Sequence, residues 1–235
     1  MSIPCDYHMH TRFSADSQAN LEDMCEAALL CGLQEVCFTD HVDRVPWEAT
    51  RGYFDAAAYV PAAERCRADY AGRLTVRIGL EIGEPHLTAE ETQALLEAWP
   101  FDFVLGSAHG IDQSGLPLTQ VYQTHSIEHV EGEYFQRVLE LVSQGEFDSL
   151  GHLDLVRRYR PKELGPFDPL AHSEVIRAIL RTLVQRDKAF EIFVSSIVSY
   201  PERWRDGPCE TLATCCNRRG ANSCWCESTG KIPSC

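Results

Sequence analysis

The chain has 235 residues, 44% of them hydrophobic and 24% charged, which are values of a folded globular protein rather than a disordered one. Lys and Arg number 21 against 35 Asp and Glu, a formal net charge of −14 that repels phosphate backbones and anionic lipid, so neither nucleic acid nor membrane is expected as a partner. No stretch approaches the roughly 20 apolar residues of a membrane span. The first residues, Met1-Ser2-Ile3-Pro4-Cys5-Asp6, lack the basic and apolar regions of a signal peptide, and a cytoplasmic protein is expected.

A first strand is predicted over 3–8, running into Asp6-Tyr7-His8-Met9-His10, where the two-residue repeat points His8 and His10 the same way. Asn20 stands where it caps a helix over 21–31, with Gly32 just past the end. A second strand over 35–39 closes in Thr39-Asp40-His41, and a third over 74–82 carries Glu81 near its end. Thr88-Ala89-Glu90-Glu91 opens a helix that runs to Trp99, where Pro100 stops it. A fourth strand over 101–107 leads to His109 in Gly-Ser-Ala-His-Gly. A helix over 126–144 precedes a fifth strand, 147–153, which holds His152 in Gly-His-Leu-Asp. Asp168-Pro169 opens a further helix with Leu170, Ile176, Ile179, Leu180, Leu183 and Val184 on one stripe, and a sixth strand is expected over 188–193.

Strands alternating with helices imply an α/β fold with a parallel sheet, and this many units without a Gly-rich dinucleotide loop favours a barrel. The carboxyl ends of parallel barrel strands share one face, where such folds place active sites. Five of these strands finish in a side chain of metal-ligand type. Any one of them alone is a weak signal; their coincidence points to imidazoles and a carboxylate converging on Zn, Mn or Fe.

The ordered set His8-Met9-His10-Thr11, Phe13-Ser14-Ala15-Asp16, Thr39-Asp40-His41, Gly79-Leu80-Glu81, Gly106-Ser107-Ala108-His109 and Gly151-His152-Leu153-Asp154 resembles the PHP (polymerase and histidinol phosphatase) superfamily, and within it the monofunctional histidinol-phosphatases. The resemblance implies a distorted (β/α)7 TIM-like barrel over residues 1–192 with up to three divalent metals in one cleft. It further implies His8, His10 and Glu81 as ligands of a first metal. Glu81, as a bridge, with His109 and His152 would hold a second, and Asp16 and His41 a third. Asp16 stands where several relatives place a histidine. Glu81, Asp16 and His41 are the groups expected to act in catalysis, and the implied substrate is the small phosphomonoester L-histidinol phosphate of histidine biosynthesis.

Hydrolysing such an ester requires neutralised phosphate oxygens, a nucleophile at neutral pH and a stabilised leaving alkoxide. Clustered divalent cations supply the first two by lowering the pKa of bound water to near ~7. Arg158 and Arg157, just after His152, are candidates to grip phosphate, with Arg12 a weaker one. His86 reads as a solvated loop residue, and His125, His129 and His172 read as surface groups.

Residues 193–235 are a different kind of sequence. They hold six of the eleven cysteines, Cys209, Cys215, Cys216, Cys224, Cys226 and Cys235, and no apolar periodicity is evident. The resemblance requires a closing Asp-X-His, which is missing; no histidine follows His172. A zinc module lacks its paired C-x2-C knuckles, a divergent terminus remains open, and a reading-frame shift near residue 193 accounts best for the change. The barrel is then incomplete at its C-terminal end, which leaves two alternatives to a histidinol-phosphatase: another PHP phosphoesterase, or a metal-binding remnant without turnover.

Overall fold

The computed structural model describes residues 4–191, 213–216 and 222–225. Its elements run β1 (Cys5–Met9), α1 (Leu21–Leu30), β2 (Glu35–Val42), α2 (Ala56–Asp69), β3 (Thr75–Gly83), α3 (Ala89–Ala98), β4 (Phe103–Ser107), α4 (Leu118–Thr124), α5 (Ile127–Gln144), β5 (Ser149–Leu150), α6 (Leu155–Tyr159), α7 (Ser173–Gln185), β6 (Ala189–Phe190), β7 (Ala213–Cys216) and β8 (Asn222–Trp225). The first six strands form one sheet in sequence order, every neighbouring pair parallel. The sheet curls into an open half-barrel, as expected of a barrel incomplete at its C-terminal end; a seventh parallel strand is not among the described residues.

Sequential order and uniform direction follow from crossovers that each return the chain to the same end of the sheet. Helices cover the outer side: α1 packs on β2, α2 on β3 and α5 on β4, with α7 against α5 and β6. On α5, Val130, Tyr134, Phe135, Val138, Leu141 and Val142 are buried at helical spacing, and Ser126 caps the helix by accepting the His129 N–H. Truncating a side chain such as Phe135 to alanine would cost about 3–5 kcal/mol through lost burial and the cavity left behind. Beneath the sheet, the buried Tyr59 hydroxyl of α2 reaches Phe38 O at 2.9 Å and Gly79 O at 3.0 Å, tying α2 to β2 and β3.

The expected elements are present with shifted ends. The fifth and sixth strands shrink to Ser149–Leu150 and Ala189–Phe190, and the helix expected from 169 opens as a single 3-10 turn, Pro169–His172, before α7. Three helices were not expected: α2, which holds Pro61 within it, and the short α4 and α6. Most of the tail, including Cys209, Cys226 and Cys235, lies outside the described residues. Within the tail, β7 and β8 form an antiparallel pair with Ala213 opposite Trp225 and Cys216 opposite Asn222. Backbone pairing of this kind needs no apolar alternation, so the sequence pattern did not signal it. Among the described residues, no helix is long and apolar enough to cross a membrane.

Candidate metal centre

Glu81 lies on β3, the third of six strands, with His41 of β2 as its in-register neighbour. Its side chain is 1% exposed, and five imidazoles converge on it. Oε2 faces Nε2 of His8 at 3.1 Å, His10 at 3.4 Å and His41 at 3.3 Å. Oε1 faces Nε2 of His152 at 3.0 Å and His109 at 3.2 Å. The two oxygens thus serve opposite sides of the cleft, as a carboxylate shared between two cations would. His8 and His10 come from the end of β1, pointing together as the strand repeat requires. Asp16 stands at the more open edge, 56% exposed, with Oδ2 3.7 Å from His41 Nε2.

Backbone conformation is specialised around this carboxylate. A side chain at Gly151 would place its Cβ 2.2 Å from Ser107 Oγ, and one at Gly83 would meet Asp43 Oδ1 at 2.6 Å, so glycine suits the close approach of the end of β5 to β4 and of β3 to the residue after β2. His152 and Glu84 hold left-handed backbone, with φ of +24° and +47°, a costly conformation for residues other than glycine.

Outer contacts hold the rings in place. His8 Nδ1 lies 2.7 Å from Glu191 Oε2, which also accepts the His152 N–H at 3.2 Å. Asp43 Oδ1 lies 3.8 Å from His109 Nδ1, and Glu84 accepts the N–H groups of His109 at 2.7 Å and Gly110 at 3.3 Å. The Asp40 carboxylate accepts the Thr11 N–H and the hydroxyls of Thr11 and Ser14, and the Ser14 oxygen accepts the His41 N–H at 2.7 Å. Burial pushes the Asp40 carboxyl up to about 6 against those hydrogen bonds.

Burial and the crowding of imidazoles around the Glu81 carboxylate shift these groups from their ordinary ranges. Burial and the nearby His41 hold His10 well below the usual imidazole range. Burial acts in the same direction on His8 and His109, but carboxylates outweigh it, Glu191 and Glu81 raising His8, and Asp43 and Glu81 raising His109. Burial would raise Glu81, yet His41 and His8 hold it well below the usual carboxylate range. Nδ1 of His10, His41 and His152 is buried with no hydrogen-bond partner among the described residues. Imidazole nitrogens and carboxylate oxygens at this density fit Zn, Mn or Fe.

Three sets bring ligand atoms within 4.8 Å of one another: His8 with Glu81 and His152, His10 with Asp16 and His41, and His41 with Glu81 and His109. All seven expected ligands are therefore together, though the grouping places His10 with Asp16 and His41, and His8 with His152. The surrounding cleft has a volume of about 320 Å³, and Trp47, Glu48, Asp112, Arg158 and Tyr159 complete its rim. Of the expected arginines only Arg158 lines it. Arg157 turns to Asp154 at 3.6 Å and lines a neighbouring cavity, and the exposed Arg12 lies over the Phe13 ring. His86 departs from a solvated residue: both ring nitrogens are buried and unpartnered among the described residues, and burial lowers its pKa to about 4. His172 is no plain surface group either, since its Nε2 lies 2.9 Å from the buried Glu131.

The sequence reading did not single out Asp43, Glu84 or Glu191. Asp43 lies two residues beyond His41, the same spacing that paired His8 with His10, and Glu191 ends the sixth strand as the other ligands end theirs.

Residues 6–195 match the PHP domain family. The chain belongs to that family. It is 33% identical over 189 residues to histidinol-phosphatase from Lactococcus lactis, covering 80% of this chain and 70% of that protein. The fold likewise matches the crystal structure of histidinol phosphate phosphatase from the same organism, complexed with Zn, L-histidinol and phosphate. The TM-score is 0.73 at 30% identity, over 81% of this chain and 73% of that one.

Proposed function

We propose that this chain is a metal-dependent phosphomonoesterase that hydrolyses L-histidinol phosphate to L-histidinol and inorganic phosphate. The observation that carries this reading is the Glu81 carboxylate faced by five imidazoles, in a chain similar to a histidinol phosphate phosphatase crystallised with Zn, L-histidinol and phosphate. His8, His10, Asp16, His41, Glu81, His109 and His152 would hold up to three divalent ions. Such ions supply charge neutralisation for phosphate oxygens and a water acidic enough to act as nucleophile near neutral pH.

The protein's own groups do the rest. Glu81 presents one oxygen to His8, His10 and His41 and the other to His109 and His152, so a single carboxylate ties the ligands of both sides of the cleft together. Glu191 accepts the His8 Nδ1 proton, leaving Nε2 free to ligate. Arg158, which lines the cleft, would grip phosphate oxygens bidentately and orient the ester for in-line attack. The cytoplasm is the proposed setting, supported by the free, buried thiols of Cys25, Cys37 and Cys66, which fit a reducing compartment.

Metal binding without turnover is the second reading, favoured by the absence of any histidine after His172. Phosphate release separates the two. Protein loaded with Zn or Mn is offered L-histidinol phosphate beside nucleoside monophosphates and other phosphomonoesters. Preferential hydrolysis of L-histidinol phosphate, abolished in Glu81→Gln, is expected. Preference for another ester would transfer the assignment to that substrate, and bound metal with no hydrolysis of any ester would establish the second reading.

A further inference from the structure

Away from the metal cleft, one pair of reactive side chains stands face to face. Cys25 on α1 and Cys66 on α2 are free and buried, at 0% and 1% exposure, and their sulfurs lie 3.5 Å apart. The helices pack on the outer side of the sheet, on β2 and β3, and neither contributes a residue to the cleft lining. One thiol donates its proton to the other. That shared proton favours loss of a single proton from the pair, the remaining thiol donating to the thiolate it faces. Cys37, another buried thiol, donates to Phe38 O instead.

We propose that Cys25 and Cys66 are a redox modification site, closing into a disulfide staple between α1 and α2 on exposure to a hydroperoxide. The Cys66 thiolate attacks a peroxide oxygen. The O–O bond breaks and, after protonation, water leaves a sulfenic acid on Cys66 when hydrogen peroxide is the oxidant. The Cys25 sulfur then attacks the Cys66 sulfur, the S–O bond breaks, and the Cys25 proton departs with the hydroxyl as a second water. Two electrons pass from the two thiols to the peroxide. Closing from the present spacing to a bond of about 2.05 Å requires side-chain rotation and a small approach of the helices. Access comes through local opening of α1 from α2. Their rim is held by polar contacts, a part-buried one from Tyr70 to Glu26 at 2.9 Å and an exposed one from Arg73 to Glu26 at 3.2 Å, the latter weak in water.

The full-length reduced protein is treated with hydrogen peroxide, unfolded, alkylated and digested without reductant. Cys25 and Cys66 should escape alkylation together. They should appear in one linked peptide lighter by about 2 Da than the sum of its parts, and dithiothreitol should restore both. A link restricting the unfolded chain also raises Tm; this rise should vanish in Cys25→Ser and Cys66→Ser. Should Cys25 and Cys66 stay alkylatable while other thiols are consumed, or each pair with a different cysteine, the proposal is overturned. The linked peptide of the parent protein decides the question even where a serine variant fails to fold.

Discussion

His8 and Glu191 stand 183 positions apart in sequence, yet His8 Nδ1 lies 2.7 Å from Glu191 Oε2. The contact joins the end of the first strand to the end of the sixth, the two margins of the described parallel sheet. It also holds a proton on His8 Nδ1, so that Nε2, which faces Glu81 Oε2 at 3.1 Å, is the nitrogen left to ligate once a cation displaces its proton. Outer partners of this kind are typically worth 10–100-fold in metal affinity. Glu191→Gln should weaken Zn binding by about that factor in chelator competition, with a circular dichroism spectrum unchanged. Parental affinity in this variant would show that Glu191 does not orient the ligand.

Metal binding should release protons. Glu191 and Glu81 raise His8, and Asp43 and Glu81 raise His109, against burial that alone would lower both. In the metal-free protein near neutral pH these two rings are therefore charged, whereas a ligating imidazole is neutral. Uptake of Zn or Mn should expel about two protons, and affinity should rise with pH. Titration calorimetry in two buffers of different ionisation enthalpy measures the number. Equal heats in both buffers would contradict the charged state of His8 and His109.

The same shifts set the pH dependence of stability without metal. His8 and His109 have raised values, so their contribution is fully present below about 6.5 and lost as pH rises through the folded values. Glu81 is depressed, so its contribution is present above the ordinary carboxylate range and lost as pH falls through its folded value. Chelated protein should accordingly melt at lower temperature on the alkaline side of neutrality, and metal should reverse the trend. A metal-free Tm that climbs steadily from pH 6 to pH 9 would be the opposite sign.

Much of this site was legible because parallel strands put their ends together. His8, His10, His41, Glu81, His109 and His152 each follow or end an apolar run, and local pattern alone located them. What was not legible lay in relations across the chain. Glu191 became a partner of His8 only through the closing curl of the sheet, and Arg157 and Arg158 are indistinguishable in sequence until one turn of α6 points them apart. The helix α2 holds Pro61 within it, and the β7–β8 segments carry no apolar alternation, so neither is marked by a period in the sequence. Asp43 and Glu84 were read past, although Asp43 shares the two-residue spacing that had already selected His8 and His10.

The two adjacent arginines provide a paired test. Arg158 lines the cleft, while Arg157 contacts Asp154 and faces a different cavity. Arg158→Ala should raise KM for the phosphomonoester by about 10–100-fold with a smaller change in kcat if the guanidinium holds the ester in ground and transition states alike. Arg157→Ala should leave both constants within about twofold of the parent. Equal effects from the two variants would remove Arg158 from the phosphate-binding role.

Glu131 on α5 explains how Arg158 is kept in place. Its buried carboxylate is paired with Arg160, with His172 Nε2 at 2.9 Å, and with the Tyr122 hydroxyl at 3.3 Å. Arg160 caps α6, the helix that carries Arg158, and donates to the carbonyls of Leu164 and Gly165 at 2.9 Å each. The Tyr122 hydroxyl also lies 3.3 Å from Val156 O, so both ends of α6 are tied to one carboxylate. The Arg160 side chain is only 11% exposed, and removing its counter-charge would leave a guanidinium poorly compensated in a largely dry setting. Glu131→Ala should therefore cost about 3–5 kcal/mol in urea unfolding, and Glu131→Gln, which keeps one acceptor, about 1–3 kcal/mol. In the Gln variant, KM should rise while Zn affinity stays at the parental level, because no ligand side chain lies on α6 and Glu131 is not among the ligand sets. A Glu131→Ala protein within about 0.5 kcal/mol of the parent would show that the cluster does not hold this part of the fold.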